Sequence, residues 1–275
     1  MLSQPHACPA PSLGFTDLKH TRDPEKPAGR QCWNSKKKKR KRKTDDGEEK
    51  EDSGLFGDGF SLVYSIKLCE KQRDLQKGNT IHSEALSKGL LLSDVYISNA
   101  LINMYAKCGM FFEAKKLLNE VPSRNVVTWN SLMSGYTHYG HGKEALDCFR
   151  SMREEGVQAD AFTFSCILKA CANTGSLCIG EEIHREVLKL GLLRENIVVG
   201  TALVNMYAKC GMLRKAREVF DLLPVRNVVS WNALIRGYSL HDQGRIALDC
   251  YEEMKTHKIT PDCTTFSCTL KACAS

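Results

Sequence analysis

The fold is decided by one stretch of eight residues, Asn103-Met104-Tyr105-Ala106-Lys107-Cys108-Gly109-Met110, which recurs unchanged at 205–212. The two copies lie 102 residues apart, and other segments keep the same offset. Arg124-Asn125-Val126-Val127 returns at 226–229, and Ser165-Cys166 returns at 267–268. Repetition at a fixed distance is typical of chains built from stacked copies of one supersecondary unit. The 275-residue chain is therefore predicted to be a repeat protein.

Each copy divides into units of 31, 35 and 36 residues. Within a unit the apolar residues follow helical spacing, and glycine or proline marks the helix ends, as at Gly140, Gly156 and Pro122. Each unit predicts two helices joined by a turn. Because such a hairpin cannot bury its apolar face alone, the units must stack into an all-α solenoid. The predicted units are 59–94, 95–125, 126–160, 161–196, 197–227 and 228–262, followed by a partial unit at 263–275.

An apolar stripe on the first helix of the 35-residue unit contains a tryptophan. Trp129, Leu132, Met133 and Tyr136 follow the i, i+3, i+4, i+7 spacing of one helix face. We predict that Trp129 and its counterpart Trp231 pack inside their hairpins. The alternative is that these rings stack on nucleic-acid bases.

Charge is concentrated in the N-terminal segment. The net charge is +7, but eight positive residues form one run, Lys36–Lys43, without which the chain holds 31 basic and 32 acidic residues. Prolines, this run and an acidic stretch leave few apolar residues in 1–58, so this basic and acidic segment is predicted to be disordered. The run is also typical of a nuclear localisation signal, with a solvated or non-specifically RNA-binding tail as the alternative.

The repeated motifs resemble one known family. The stretches NMYAKCG, RNVVTWN or RNVVSWN, and TFSCILKAC or TFSCTLKAC, together with the alternating unit lengths, resemble plant pentatricopeptide repeat (PPR) proteins of the PLS subclass. In that subclass P, long and short motifs alternate. By this resemblance 59–94 and 161–196 are long units, 95–125 and 197–227 are short units, and 126–160 and 228–262 are P units. It implies a right-handed α-solenoid that binds single-stranded RNA, one base per repeat.

The partial long unit, 263–275, keeps a first helix and lacks a second. We therefore expect the chain to be truncated before any C-terminal E or DYW domain.

The resemblance also implies roles for individual residues. The residues implied to read base edges are Asn99, Asn125, Asn130, Asp160, Ser165, Asn196, Thr201, Asn227, Asn232 and Asp262. Those implied to stack on bases are Tyr96, Val127, Phe162, Val198 and Val229. By the pairing rules of the family, Asn130 with Asp160 and Asn232 with Asp262 imply uracil. Thr201 with Asn227 implies adenine, and Asn99 with Asn125 implies a pyrimidine. The long units, with Ser165 at the equivalent place, follow these rules poorly. The expected recognition string is pyrimidine-U-any-A-U, with the 5′ end facing the N-terminus.

The same side chains also fit purely structural roles. An asparagine such as Asn130 or Asn232 is a good helix cap, which is the structural alternative to base reading. Four cations, Lys67, Lys169, Arg236 and Lys271, follow the same helix stripe, where a groove would meet phosphates. Ordinary solvated side chains are the alternative for these four.

One apparent catalytic motif is explained by the repeat. His82-Ser83-Glu84 and His184-Arg185-Glu186 match the H-x-E of zinc nucleobase deaminases. That site also needs P-C-x-x-C, and no two cysteines of this chain are three positions apart. We therefore predict no catalytic residues, no metal site, no cofactor and no enzymatic activity.

The sequence thus predicts a non-catalytic, sequence-selective single-stranded RNA-binding protein, acting as an adaptor in organellar C-to-U editing or RNA processing. We expect an editing or processing enzyme supplied in trans, no membrane, no small-molecule substrate and a location in mitochondrion or chloroplast. The alternatives are a protein-binding helical scaffold, a fragment of an editing enzyme whose deaminase lies beyond residue 275, and a nuclear location through Lys36–Lys43.

Overall fold

The computed structural model describes residues 56–274, with side chains from residue 59. The basic run and nearly all of the segment predicted to be disordered lie outside these residues. All regular structure in the described part is helical, which confirms the predicted all-α class. No helix within 56–274 is long and apolar enough to cross a membrane.

The helices fall into three groups and are numbered in chain order. The first helices of the units are α1 (Phe56–Gln72), α4 (Val95–Lys107), α6 (Val126–His138), α8 (Ala161–Thr174), α11 (Ile197–Lys209), α13 (Val228–Leu240) and α15 (Cys263–Cys273). The second helices are α2 (Leu75–Ser87), α5 (Phe111–Glu120), α7 (Gly142–Glu154), α9 (Leu177–Lys189), α12 (Leu213–Asp221) and α14 (Gly244–Thr256). Two single turns, α3 (Leu90–Ser93) and α10 (Leu192–Glu195), complete the set.

Local chemistry explains where these helices begin and end. The side chains of Asn125 and Asp160 accept hydrogen bonds from the backbone at the third positions of α6 and α8, and so cap these helices. At the other end, α8 stops at Gly175, whose φ of 70° is the left-handed conformation that glycine adopts without strain. The second helices α5 and α12 end before Pro122 and Pro224, as predicted.

The first helices lie side by side along the stack, each packed against the first helix of the next unit. Close approach is possible because small residues meet: a Cβ on Gly135 would lie 2.7 Å from the Cβ of Ala106. Gly237 and Ala208 make the same approach one copy later, at 2.5 Å. This packing holds one face of consecutive first helices in register.

The core runs continuously between the two helices of each unit and between neighbouring units. Trp129 and Trp231 are buried, and Trp231 packs edge-on against Phe220 with ring centroids 4.5 Å apart. Both tryptophans are therefore buried as predicted, but Trp231 contacts Phe220 of the preceding unit as well as His257 of its own, so it packs between units and not only inside its hairpin.

The two short helices are a feature that periodicity did not predict. Gly89 and Gly191 hold positive φ and precede α3 and α10, whose buried Leu91 and Leu193 fill the core of the long units. These turns lie at the Gly-Leu-Leu segments, near which each 36-residue unit carries one extra residue.

Ion pairs join successive second helices. Arg217 of α12 donates to both carboxylate oxygens of Glu253 on α14, at 2.8 and 2.9 Å. Arg153 of α7 bridges Glu182 and Glu186 of α9, at 2.7 and 2.5 Å. The two-point pairing of Arg217 with Glu253 adds geometric specificity to the attraction between neighbouring units.

Candidate nucleic-acid interface

A row of large apolar side chains is left in solvent along the first helices. Tyr96, Val127, Phe162, Val198 and Val229 each stand at the second position of a first helix, and each is more than half exposed. Burying such a side chain is worth about 1.5–3 kcal/mol, so a regular row of them in water indicates a surface that a ligand covers. These are the five residues predicted to stack on bases.

A groove of about 520 Å³ follows the same face across four first helices. We call it the central groove; it is lined by Ser134, Thr137, His138, Phe162, Ser165, Cys166, Lys169, Ile197, Val198, Thr201, Ala202, Asn205, Asn227, Val229, Ala233 and Arg236. Eight of these sixteen residues are among those singled out from the sequence. The groove therefore brings together three stacking, three edge-reading and two cationic candidates, while Asn130, Asp160, Asn232 and Asp262 are not among its lining residues.

Asn130 is bonded to Asp160 at the end of its own unit and to Thr163 at the start of the next unit. The amide nitrogen Nδ2 of Asn130, within α6, donates to Oδ1 of Asp160 at 3.1 Å. The hydroxyl of Thr163, in the first turn of α8, donates to Oδ1 of Asn130 at 2.8 Å. The same three-residue arrangement recurs 102 residues later: Asn232 donates to Asp262 at 2.9 Å and accepts from Thr265 at 2.6 Å.

These bonds hold the amide of Asn130 in one orientation. A primary amide has two N–H donors and two acceptor lone pairs, so one of each remains for a ligand. Asn130 is buried and bonded to the cap residue and the first turn of α8, not to the start of its own helix. The capping alternative is therefore wrong for Asn130 and Asn232, whose neighbours Asn125 and Asn227 cap α6 and α13 instead.

The carboxyl of Asp160 is held in its charged form. Burial by itself would raise its pKa, but hydrogen bonds from the backbone N–H of Thr163, the Asn130 amide and the backbone N–H of Phe162 lower the pKa below its ordinary value. The charged carboxylate is an acceptor only, which explains why the NH₂ side of the Asn130 amide faces it. The backbone N–H of Thr265, followed by the Asn232 amide, lowers the pKa of Asp262 in the same way.

The other predicted pairs have different geometry. Thr128 bridges Asn99 and Asn125, since its hydroxyl lies 2.7 Å from Oδ1 of Asn99 and 3.0 Å from Oδ1 of Asn125. The hydroxyl of Thr201 is buried and has no hydrogen-bond partner among the described residues, because Ser230 donates to the Asn227 carbonyl instead. A buried hydroxyl without a partner costs free energy. Thr201 lines the central groove, but its hydroxyl oxygen is closed off from solvent there.

Ser165 and Asn196 are not brought together. Ser165 donates to the carbonyl of Ala161 in its own helix at 2.8 Å, and Asn196 caps the first turn of α11. The structure therefore shows no joint arrangement for this pair, whose unit also follows the pairing rules of the family poorly.

The cations are distributed along the same face. Lys67 lies on α1 and Lys271 on α15, while Lys169 and Arg236 line the central groove. Arg236 donates to Asn205 of α11 at 2.9 Å.

Two further charged residues on this face were not predicted from the sequence. Lys209 lies one turn after Asn205 and donates to Asn173 of α8 at 3.0 Å. Glu70 accepts hydrogen bonds from Asn103 and Lys107 at the edge of the stripe. Both contacts join neighbouring first helices, so spacing within one helix gives no signal for them.

Three hydroxyl residues were also not predicted: Thr128, Thr163 and Thr265. Each is the third helical residue after an Asn or Asp cap and forms a capping box with it. The signal was present in the spacing, since a hydroxyl three residues after a cap is a helix-start pattern. Its second role, in contacting the asparagine of the preceding unit, is not visible in local sequence.

The histidines of the His-x-Glu motifs bond to tyrosines. Nδ1 of His184 lies 2.9 Å from the hydroxyl of Tyr207, and Nδ1 of His82 makes the equivalent bond to Tyr105, also at 2.9 Å. Burial lowers the pKa of both imidazoles, which favours the neutral ring. The motif therefore joins the second helix of a long unit to the first helix of the following unit.

Comparison with known proteins identifies the repeats. The PPR repeat family matches residues 124–173 and 226–275, and the PPR repeat matches 96–126 and 201–228. A pentatricopeptide repeat-containing protein of Arabidopsis thaliana named as chloroplastic is 38% identical over 80% of this chain and 35% of its own length. Another, named as mitochondrial, is 33% identical over 81% of this chain and 40% of its own length. The chain thus spans between a third and two fifths of these relatives.

A solved structure shares the fold. The pentatricopeptide repeat protein PPR10, crystallised in complex with an 18-nucleotide psaJ RNA element, aligns with a TM-score of 0.61 and 22% identity over 72% of this chain and 30% of its own. At this identity the likeness concerns the fold alone. Repeated helical hairpins, the matching repeat families and this shared fold lead to one conclusion: the chain belongs to the PPR repeat family.

Proposed function

We propose that the chain binds single-stranded RNA along the first-helix face and selects bases through side chains at the junctions between units. The observation that carries this proposal is the Asn–Asp–Thr arrangement, built twice with the same bonds. It lies beside exposed apolar side chains that can sandwich a base. PPR10, a relative in fold, was crystallised with RNA, which adds support.

The bonding pattern is compatible with binding of uracil, and the preference for uracil over the other bases comes from the family resemblance. After bonding to Asp160 and Thr163, the amide of Asn130 retains one N–H and one lone pair. The Watson–Crick edge of uracil presents a carbonyl acceptor beside an N–H donor, so it can complete both. Because the amide is already oriented in the free protein, little side-chain entropy is lost on binding. The Asn232 amide offers the same pair of groups.

Assignment to the subclass leads to a more specific proposal for the role of the chain. The alternation of 36-, 31- and 35-residue units supports assignment to the PLS subclass. We propose a non-catalytic adaptor that positions a transcript for editing or processing by an enzyme supplied in trans. Relatives named as chloroplastic or mitochondrial support an organellar location.

Binding of matched RNAs tests this function. One RNA carries the sequence expected from the unit order, and the second has guanine in place of the uracils assigned to Asn130 and Asn232. We expect at least about tenfold tighter binding to the first RNA, or about 1.4 kcal/mol. Equal affinities would contradict base reading, and the absence of binding to either RNA would favour a protein-binding scaffold.

A further inference from the structure

Three cations of the second 102-residue copy converge where three first helices lie side by side. Lys169 is on α8, Lys209 on α11 and Arg236 on α13, and we call them the cation cluster. Lys169 and Arg236 line the central groove. Asn173, one turn after Lys169, accepts from Lys209 at 3.0 Å, and Asn205, one turn before Lys209, accepts from Arg236 at 2.9 Å. Two amide oxygens thus link the three helices.

The cluster has no counter-ion. Among residues 59–274, none of its three members forms a salt bridge. Burial, followed by the charges of Arg236 and Lys169, lowers the pKa of Lys209. Like charges held together raise the free energy of the unliganded protein, and an anion placed among them would remove that repulsion.

The first copy has the same framework with a different charge pattern. Lys107 stands where Lys209 stands, but Glu70 occupies the place of Ala172 and forms an ion pair with Lys107. Ser134 replaces Arg236, and Lys71 replaces Asn173. The lysine of the first copy therefore has a carboxylate partner within the protein, whereas Lys209 has only a neutral amide.

We propose that the cation cluster is a phosphodiester-binding site that anchors the RNA backbone in the second copy, and that Glu70 suppresses the equivalent site in the first. This inference rests on the proposed RNA binding and adds where the backbone is held. Lys and Arg contacts to phosphate release counter-ions and carry no sequence information. The cluster therefore contributes salt-dependent affinity, while the Asn–Asp–Thr arrangements contribute selectivity.

Reciprocal exchange at positions 70 and 172 tests the site. Affinity of the full chain for one RNA is measured over a range of KCl concentrations. Lys209→Gln should reduce the slope of log K against log salt by about 0.7, the value for one single-strand phosphate contact. The matched variant Lys107→Gln should leave the slope unchanged. Ala172→Glu should act like Lys209→Gln, and Glu70→Ala should steepen the slope by about 0.7 because Lys107 is released.

The salt-dependence experiment distinguishes an incorrect assignment of the phosphate site from an absence of RNA binding. Equal effects of Lys209→Gln and Lys107→Gln, or no effect of Lys209→Gln on the slope, would overturn the site while RNA binding itself stands. Failure of the unaltered chain to bind any single-stranded RNA would overturn the proposed function and this site with it. Competition by uridine monophosphate distinguishes RNA from free nucleotide. Displacement of the RNA at equal phosphate concentration would assign the site to nucleotides instead.

Discussion

The amide of Asn130 donates to Asp160 at 3.1 Å, although the two residues belong to opposite ends of one unit and Asp160 caps the helix of the next. One carboxylate thus starts α8 and orients a side chain of α6. Stability at the unit junction and the geometry of the proposed base reading therefore depend on the same atoms. A substitution at this contact can therefore be tested by its effect on the free energy of unfolding as well as on RNA affinity.

Thr163→Val removes the hydroxyl and keeps the shape of the side chain, so it tests the hydroxyl alone. Thr163 is fully buried, and its hydroxyl completes the capping box and bonds to Asn130. Loss of these bonds leaves a buried amide oxygen without its donor, so we expect a loss of about 1–2 kcal/mol in the free energy of unfolding. Urea denaturation measures it. The control is Thr269→Val, because that hydroxyl bonds only to its own helix; equal losses would refute the junction role.

The pH dependence of stability should reveal the charged state of Asp160. Its pKa is lower in the folded protein than its ordinary value of 3.8. Such a carboxyl adds stability above the unfolded pKa, and this contribution is lost as the pH falls through the folded pKa. The stability difference between the unaltered chain and Asp160→Asn should therefore be largest near pH 6 and shrink below about pH 4. A difference that stays constant from about pH 6 to about pH 2.5 would contradict this account.

Arg217→Met should affect stability without affecting RNA recognition. Arg217 makes a two-point ion pair with Glu253 and is about one third exposed, on the face away from the central groove. We expect a loss of about 1 kcal/mol in the free energy of unfolding, with RNA affinity unchanged below the melting temperature. Thermal melting and RNA titration on the same sample measure both. A loss of base selectivity would show that the second-helix face takes part in recognition.

The architecture could be predicted because its determinants are local. Helical spacing and cap residues such as Asn125 act within a few residues, so the helices of the structure begin close to the expected positions. Burial of Trp129 followed from its place on an apolar stripe. The row of exposed residues such as Phe162 followed from the family resemblance and a fixed helix position.

The remainder depends on contacts between units, which local spacing does not contain. Thr163 meets Asn130 across 33 positions, and Glu70 meets Lys107 across 37. Two identical lysine motifs, at 107 and 209, acquire different partners because residue 70 is glutamate and residue 172 is alanine. Sequence comparison of the copies reveals the difference, but only the packing of neighbouring helices shows which charge it affects.

Exchange of one reading pair for another tests the central claim most directly. The double variant Asn130→Thr with Asp160→Asn converts this pair into the combination present at Thr201 and Asn227, which is expected to select adenine. Affinities are measured for two RNAs that differ only in the nucleotide assigned to this pair, uracil or adenine. We predict that the preference reverses from uracil to adenine by at least about tenfold, or about 1.4 kcal/mol. An unchanged preference for uracil, or an equal loss of affinity for both RNAs, would contradict the account.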